Sequence, residues 1–134
     1  MSDSCLLDTH VLLWAVAEPQ RLAPEIRSLI RRQFYAVSVA SLWELINKKG
    51  KRDAPVKDPA MWWTRYVVNA GTPVLPLRNA HVLYLDRLPL YHRDPYDRIL
   101  IAQSVVEEMT LVTADQEIRK YGIRMREASS PASD

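Results

Sequence analysis

The sequence predicts an α/β protein in which a parallel sheet carries helices on both faces. Short apolar runs that read as strands alternate with stretches whose apolar residues recur at helical spacing. Glycine occurs only at 50, 71 and 122. No Gly-rich phosphate loop can be built from those three, which sets aside dinucleotide-binding and P-loop members of the class.

The elements follow in order. Cys5-Leu6-Leu7 is a buried strand whose end meets a helix start at Asp8-Thr9. Val11, Leu12, Leu13, Trp14 and Val16 continue that helix until Glu18-Pro19 breaks it. Pro24 opens a second helix with Ile26, Leu29 and Ile30 on one face. Tyr35–Val39 reads as the second strand. Ser41 then starts a helix carrying Trp43, Glu44, Leu45 and Ile46, which frays into Lys48–Arg52. Asp58-Pro59 is an N-cap followed by proline at the first helical position, and that helix stops at Gly71. Thr72–Leu77, with prolines at 73 and 76, is a strand near a sheet edge. Asn79 caps a short helix. Asp94-Pro95 repeats the cap signal ahead of Ile99, Ala102, Val106 and Met109 at helical spacing. Leu111–Thr113 is the fourth strand, Asp115–Tyr121 a short helix closed by Gly122, and Ile123–Arg126 a last strand. Residues 1–127 form one domain, and 128–134 read as a disordered tail.

Composition bounds the function. The chain has 134 residues, about half of them hydrophobic, enough for a real core. One cysteine, Cys5, permits no internal disulfide. No apolar run approaches the length of a bilayer span and no basic leader precedes the first strand, so a cytoplasmic, membrane-free protein is expected. Net charge is +2, with 18 basic and 16 acidic side chains. That balance does not by itself argue for nucleic acid. Lys48, Lys49, Lys51 and Arg52 nevertheless form a tight basic group.

In an open parallel sheet, ligands bind beyond the carboxyl ends of the strands. Four acids map there: Asp8, Glu44, Asp97 and Asp115. Capping alone also scatters acids along that edge, because helices begin there. Each acid, however, has a neighbour able to cap: Thr9 beside Asp8, Ser41 before Glu44, Asp94 before Asp97, Thr113 before Asp115. The acids are then surplus to capping. Carboxylates that converge raise one another's pKa unless a cation sits between them. A hard divalent ion fits such a cluster and can activate water against a phosphate. His10, His81 and His92 lack zinc-ligand spacing and a thiolate partner, and read as structural or surface residues. Glu107 and Glu108 read as solvent-facing. The tryptophans read as core or dimer interface.

Four segments carry a resemblance. Leu6-Leu7-Asp8-Thr9-His10-Val11-Leu12-Leu13-Trp14 resembles the opening of PIN-domain nucleases, in particular the VapC-like toxins. Ser38-Val39-Ala40-Ser41-Leu42-Trp43-Glu44, His92-Arg93-Asp94-Pro95-Tyr96-Asp97-Arg98 and Leu111-Val112-Thr113-Ala114-Asp115 are similar to their later motifs, in family order. The resemblance implies a three-layer α/β/α sandwich with a parallel sheet of about five strands. It also implies Mg²⁺- or Mn²⁺-dependent endoribonuclease activity, a homodimer, an RNA substrate and a cognate VapB-like antitoxin that occludes the site. Carried over, Asp8, Glu44, Asp97 and Asp115 match the acidic quartet, with Asp8, Asp97 and Asp115 as metal ligands and Glu44 acting on the attacking water. Thr9, Thr113 and Asp94 are supporting residues. Lys48, Lys49, Lys51 and Arg98 are candidate phosphate contacts; Arg98 can equally be an ion-pair partner of the acids. Two readings compete: a non-catalytic PIN-fold binding module, and a phosphoacceptor or phosphatase domain on the same scaffold.

Overall fold

A computed structural model describes residues 4–129. Its sheet has five strands, all parallel, in the order β3-β2-β1-β4-β5. They are β1 (Cys5–Leu7), β2 (Tyr35–Ser38), β3 (Val74–Leu75), β4 (Thr110–Thr113) and β5 (Met125–Glu127). The helices are α1 (Thr9–Ala17), α2 (Pro24–Arg31), α3 (Val39–Asn47), α4 (Pro59–Trp63), α5 (Asn79–Tyr84) and α6 (Pro95–Val106). Thr64–Val68 continues α4 as a π-helical turn, and Gln116–Tyr121 is 3₁₀ rather than α.

Side chains of successive strand residues point to opposite faces, and the two cores follow that period. Cys5, Leu7, Val37 and Val112 face a layer that includes Val11, Leu12, Ile26, Leu29, Leu45 and Trp63. Leu6 and Leu111 face the other layer, with Ile99, Leu100, Ile101 and Ile118. This is the expected three-layer sandwich. Burial on both sides explains why β1 and β4 read as unbroken apolar runs.

Chain order runs outward from β1 to β2 and β3, then returns to β4 on the other side. The crevice between β1 and β4 is therefore the switch point of the sheet. β1 and β4 pair Leu6 with Leu111 and Leu7 with Val112. The ladder extends one residue further, where the Asp8 N–H donates to the Val112 carbonyl at 3.0 Å. That bond sets Asp8 at the mouth of the crevice beside Thr113.

Several local expectations are corrected. Ser38, not Ser41, caps α3, its Oγ accepting from the Ala40 N–H at 2.9 Å. Arg78, not Asn79, occupies the cap position of α5, where the His81 imidazole Nδ1 accepts the Arg78 N–H. Glu107 is not solvent-facing: it pairs with Arg78 and, at 2.7 Å, with His81. The packed chain also passes residue 127. Ala128 is fully buried, its N–H donates to the Thr113 carbonyl, and Ser129 bridges to Leu22. Apolar contact and backbone pairing hold these two residues, where a tail was expected. Residues 130–134 of that expected tail lie outside the described residues.

Candidate metal centre

Asp8 is almost fully buried and is itself the N-cap of α1, its Oδ1 accepting from the Val11 N–H at 2.8 Å. Asp115 likewise caps the Gln116–Tyr121 turn through Oδ1, which accepts from the Glu117 N–H at 2.9 Å. The expectation that Thr9 and Thr113 free these acids from capping is thus wrong for both. The reason is geometric: each acid follows a strand with its backbone still extended, which is the N-cap conformation. Thr113 instead links the two acids. Its hydroxyl accepts the Asp115 N–H at 3.0 Å and helps hold down the Asp8 pKa. Thr9 pairs with buried Ser41, hydroxyl to hydroxyl at 2.8 Å, tying the starts of α1 and α3 together.

Asp94 caps α6 as expected, accepting from the N–H groups of Tyr96 and Asp97 at 2.8 and 3.1 Å. Capping is therefore complete without the Asp97 side chain, which remains available in the first turn. Glu44 is buried one turn into α3. Its Oε2 accepts from Lys48 Nζ at 2.7 Å, whereas Oε1 is buried with no hydrogen-bond partner. A buried carboxylate oxygen left unsatisfied is costly and calls for a donor or a cation.

The charges of these acids reach one another. Burial, opposed by hydrogen bonds from Thr113 and Val11, pushes the Asp8 carboxyl up to about 6, with Asp115 adding to the rise. Burial, then the charges of Asp94, Asp8 and Glu44, push Asp97 up to about 7. A buried and a half-buried carboxylate that resist ionisation in each other's company form a site that a divalent cation would relieve. An all-carboxylate donor set suits a hard cation such as Mg²⁺ or Mn²⁺.

One side chain in this cluster was expected elsewhere. His92 is not a surface or purely structural residue. Its Nε2 lies 2.6 Å from Asp115 Oδ2 and 3.2 Å from Asp97 Oδ2. His92, Asp97 and Asp115 each offer a ligand atom, and these lie within 4.8 Å of one another. Burial works against the imidazolium, but the Asp115 hydrogen bond and the charges of Asp97, Asp115 and Asp94 outweigh it and raise the His92 pKa. The available signal was its place two residues ahead of Asp94, at the neck of the same motif.

The basic candidates divide. Lys48 is held by Glu44, and that hydrogen bond, against some burial, raises its pKa. Lys49 and Lys51 are exposed. Arg98 is paired with neither acids nor solvent alone: it donates to the carbonyls of Pro89 and Leu85 and to the Tyr121 hydroxyl. The ion-pair expectation for Arg98 gives way to a structural anchor of the segment before α6. Beside the acids, Trp43 and Tyr96 meet edge to face with ring centroids 5.0 Å apart, and Asn47 donates to the Tyr96 hydroxyl. Trp43 is half exposed, whereas Trp63 is in the core.

Comparison with known proteins places this arrangement. The PIN domain model matches residues 5–123, a span that holds all four acids and His92. Ribonuclease VapC22 of Mycobacterium tuberculosis (strain ATCC 25618 / H37Rv) is 26% identical over 117 residues, covering 87% of this chain and 90% of that protein. The DNA-bound VapBC of Salmonella typhimurium superposes with a TM-score of 0.68 at 19% identity, covering 93% of this chain and 98% of that one. VapBC2 of Rickettsia felis, bound to a DNA fragment from its promoter, gives a TM-score of 0.65 at 14% identity with the same coverage. At such identities the two structures speak for the fold alone. The family model matches most of the chain, and the chain belongs to the PIN domain family.

Proposed function

We propose that this protein is a divalent-metal-dependent endoribonuclease and the toxin half of a VapBC-type pair. The observation that carries the reading is the acid cluster at the β1–β4 crevice. Asp97 and Asp115 offer oxygens within 4.8 Å of each other, Asp8 and Asp97 have raised pKa values, and Glu44 has a buried oxygen without a hydrogen-bond partner. The likeness to Ribonuclease VapC22 and the fold shared with VapBC toxins support the same reading.

Asp8, Asp97 and Asp115 are the residues that would hold Mg²⁺ or Mn²⁺. The bound ion would supply an acidified water and neutralise charge on the phosphate. The chain's own contributions follow from the contacts. Thr113 favours the ionised Asp8 carboxylate and holds the Asp115 backbone by accepting its N–H. Lys48 fixes Glu44 through Oε2, which leaves Oε1 to take a proton from the attacking water. Asp94 holds the first turn of α6 and so the placement of Asp97. Exposed Lys49 and Lys51 would meet RNA phosphates. RNA is the substrate, a VapB-like antitoxin and a second copy of the chain are the partners, and the protein works in the cytoplasm.

The test is cleavage of RNA by the purified chain in Mn²⁺, in EDTA, and as the Asp97→Asn variant. Cleavage should require the ion and fall by several orders of magnitude in the variant, with folding unchanged by circular dichroism. Cleavage that persists in EDTA would remove the metal-dependent reading.

A further inference from the structure

The acid quartet accounts for metal binding and water activation but leaves His92 without a task. Its surroundings are specific. The backbone N–H of His92 donates to the Tyr121 hydroxyl at 3.0 Å, which fixes the loop ahead of α6. The ring is largely buried. Its Nδ1 accepts the Asp94 N–H at 3.1 Å. Its Nε2 faces two carboxylates brought by different elements, Asp97 from α6 and Asp115 from the end of β4.

The tautomer follows from these partners. A ring nitrogen that accepts an N–H carries no proton, so in the neutral ring the proton is on Nε2. Protonating Nδ1 to give the imidazolium would cost the Asp94 contact but keep Nε2–H. In either state Nε2 is a donor aimed at Asp115 and Asp97. A ligating imidazole needs the opposite arrangement, with a lone pair on Nε2 and Nδ1 donating to an outer partner. Here Nδ1 meets a donor, so ligation would set two N–H groups face to face.

We propose that His92 is a positioning residue that, through Nε2–H, holds the Asp97 and Asp115 carboxylates in one orientation for a divalent cation without ligating it. The inference rests on the divalent-metal reading above. Without the shared donor, two carboxylates on separate elements repel and splay. With it, the ligand pair is set before the cation arrives, and Asp94 serves both as cap of α6 and as lock on the ring.

The test is calorimetric titration of the purified full chain with MnCl₂, MgCl₂ and NiCl₂. The variants are His92→Leu and His92→Gln, whose side-chain amide retains a donor at similar reach. Loss of an outer-partner hydrogen bond weakens metal affinity by about 10- to 100-fold. His92→Leu should weaken all three ions by a common factor in that range, and His92→Gln should recover most of the affinity. If His92→Leu fails to fold by circular dichroism, His92→Asn takes its place with the same expectation, its shorter amide falling short of the two carboxylates. Unchanged affinities in the Leu variant overturn the proposal. So does selective loss of Ni²⁺ with Mg²⁺ retained, which marks a direct nitrogen ligand. Equal weakening in the Leu and Gln variants also overturns it, because a donor then makes no difference. A wild-type chain that binds none of the three ions is a separate result, and it removes the metal reading itself.

Discussion

Asp8 does two jobs that respond oppositely to substitution. As N-cap it needs an acceptor oxygen, which asparagine also supplies. As a buried acid with a carboxyl pushed up to about 6, it ionises against its surroundings at higher pH. Asp8→Asn keeps the cap and removes the charge. In EDTA at pH 8 the variant should therefore be more stable than the parent, by about 1–3 kcal/mol. Thermal melting reads this as a rise of several degrees. The same variant should lose its response to Mn²⁺ and nearly all RNA cleavage. A lower Tm in EDTA would mean that some other group already compensates the Asp8 charge. At this scale the sequence discloses the four acids, because each lies in a short motif at a strand or helix end. It does not disclose His92, whose importance depends on Asp115, 23 residues away, folding back onto it. The Glu44–Lys48 pair was open to inspection: Glu four residues before Lys on one helix is the favoured ion-pair spacing. That local rule ties Lys48 to Glu44 ahead of any phosphate contact.

Elements were legible wherever a signal was local. Asp94-Pro95 and Asp58-Pro59 each place a cap and a proline at consecutive positions, and α6 and α4 begin there. Gly122, with φ of 66°, closes the Gln116–Tyr121 turn in the left-handed region that glycine tolerates. The α3 boundary was misplaced because Ser38 and Ser41 are both competent caps. What separates them is tertiary, since Ser41 is drawn to Thr9. The polar pairing between layers was likewise invisible in sequence. Gln103 looks like an ordinary helix residue, yet it is fully buried. Its carboxamide accepts from Ser38 Oγ at 2.6 Å and donates to the Pro76 carbonyl at 3.2 Å. It thereby fixes α6 against the β2 and β3 side of the sheet. Gln103→Ala strands both partners in a dry environment and opens a cavity, so it should cost about 2–4 kcal/mol in chemical denaturation. A loss below ~1 kcal/mol would show that water replaces the amide. The His81–Glu107 contact belongs to the same seam. With Nδ1 accepting the Arg78 N–H, the ring is neutral and Nε2 donates to Glu107.

Across the whole molecule, the cluster ties folding to pH and, on the proposed function, to a metal ion, and the sign is set by the raised carboxyls. An unfolded aspartate releases its proton near pH 4. In the native chain Asp8 and Asp97 hold theirs to about 6 and about 7. Between those limits the folded state binds more protons than the unfolded one, so stability falls as pH rises. His92, also raised, extends the decline above its ordinary value by the same rule. His81 acts in the other direction. Burial, with the charge of Arg78, lowers its pKa, so below pH 6.5 it favours the native state as pH rises. Two large carboxyl effects outweigh one imidazole, and in EDTA the Tm should decline from pH 5 to pH 8. On the proposed function, a divalent cation would compete with those protons for the same oxygens. At pH 5 to 6, where both carboxyls still hold protons, binding should therefore release about one to two protons, and at pH 8 almost none, measurable by calorimetry in buffers of differing ionisation enthalpy. It should also raise the Tm far more at pH 8 than at pH 5, because ligand stabilisation grows with affinity and protons weaken that affinity at the lower pH. An equal Tm gain at the two pH values would mean that the ion binds somewhere other than among Asp8, Asp97 and Asp115. The fold would stand in that case, and the catalytic assignment would have to move to another part of the surface.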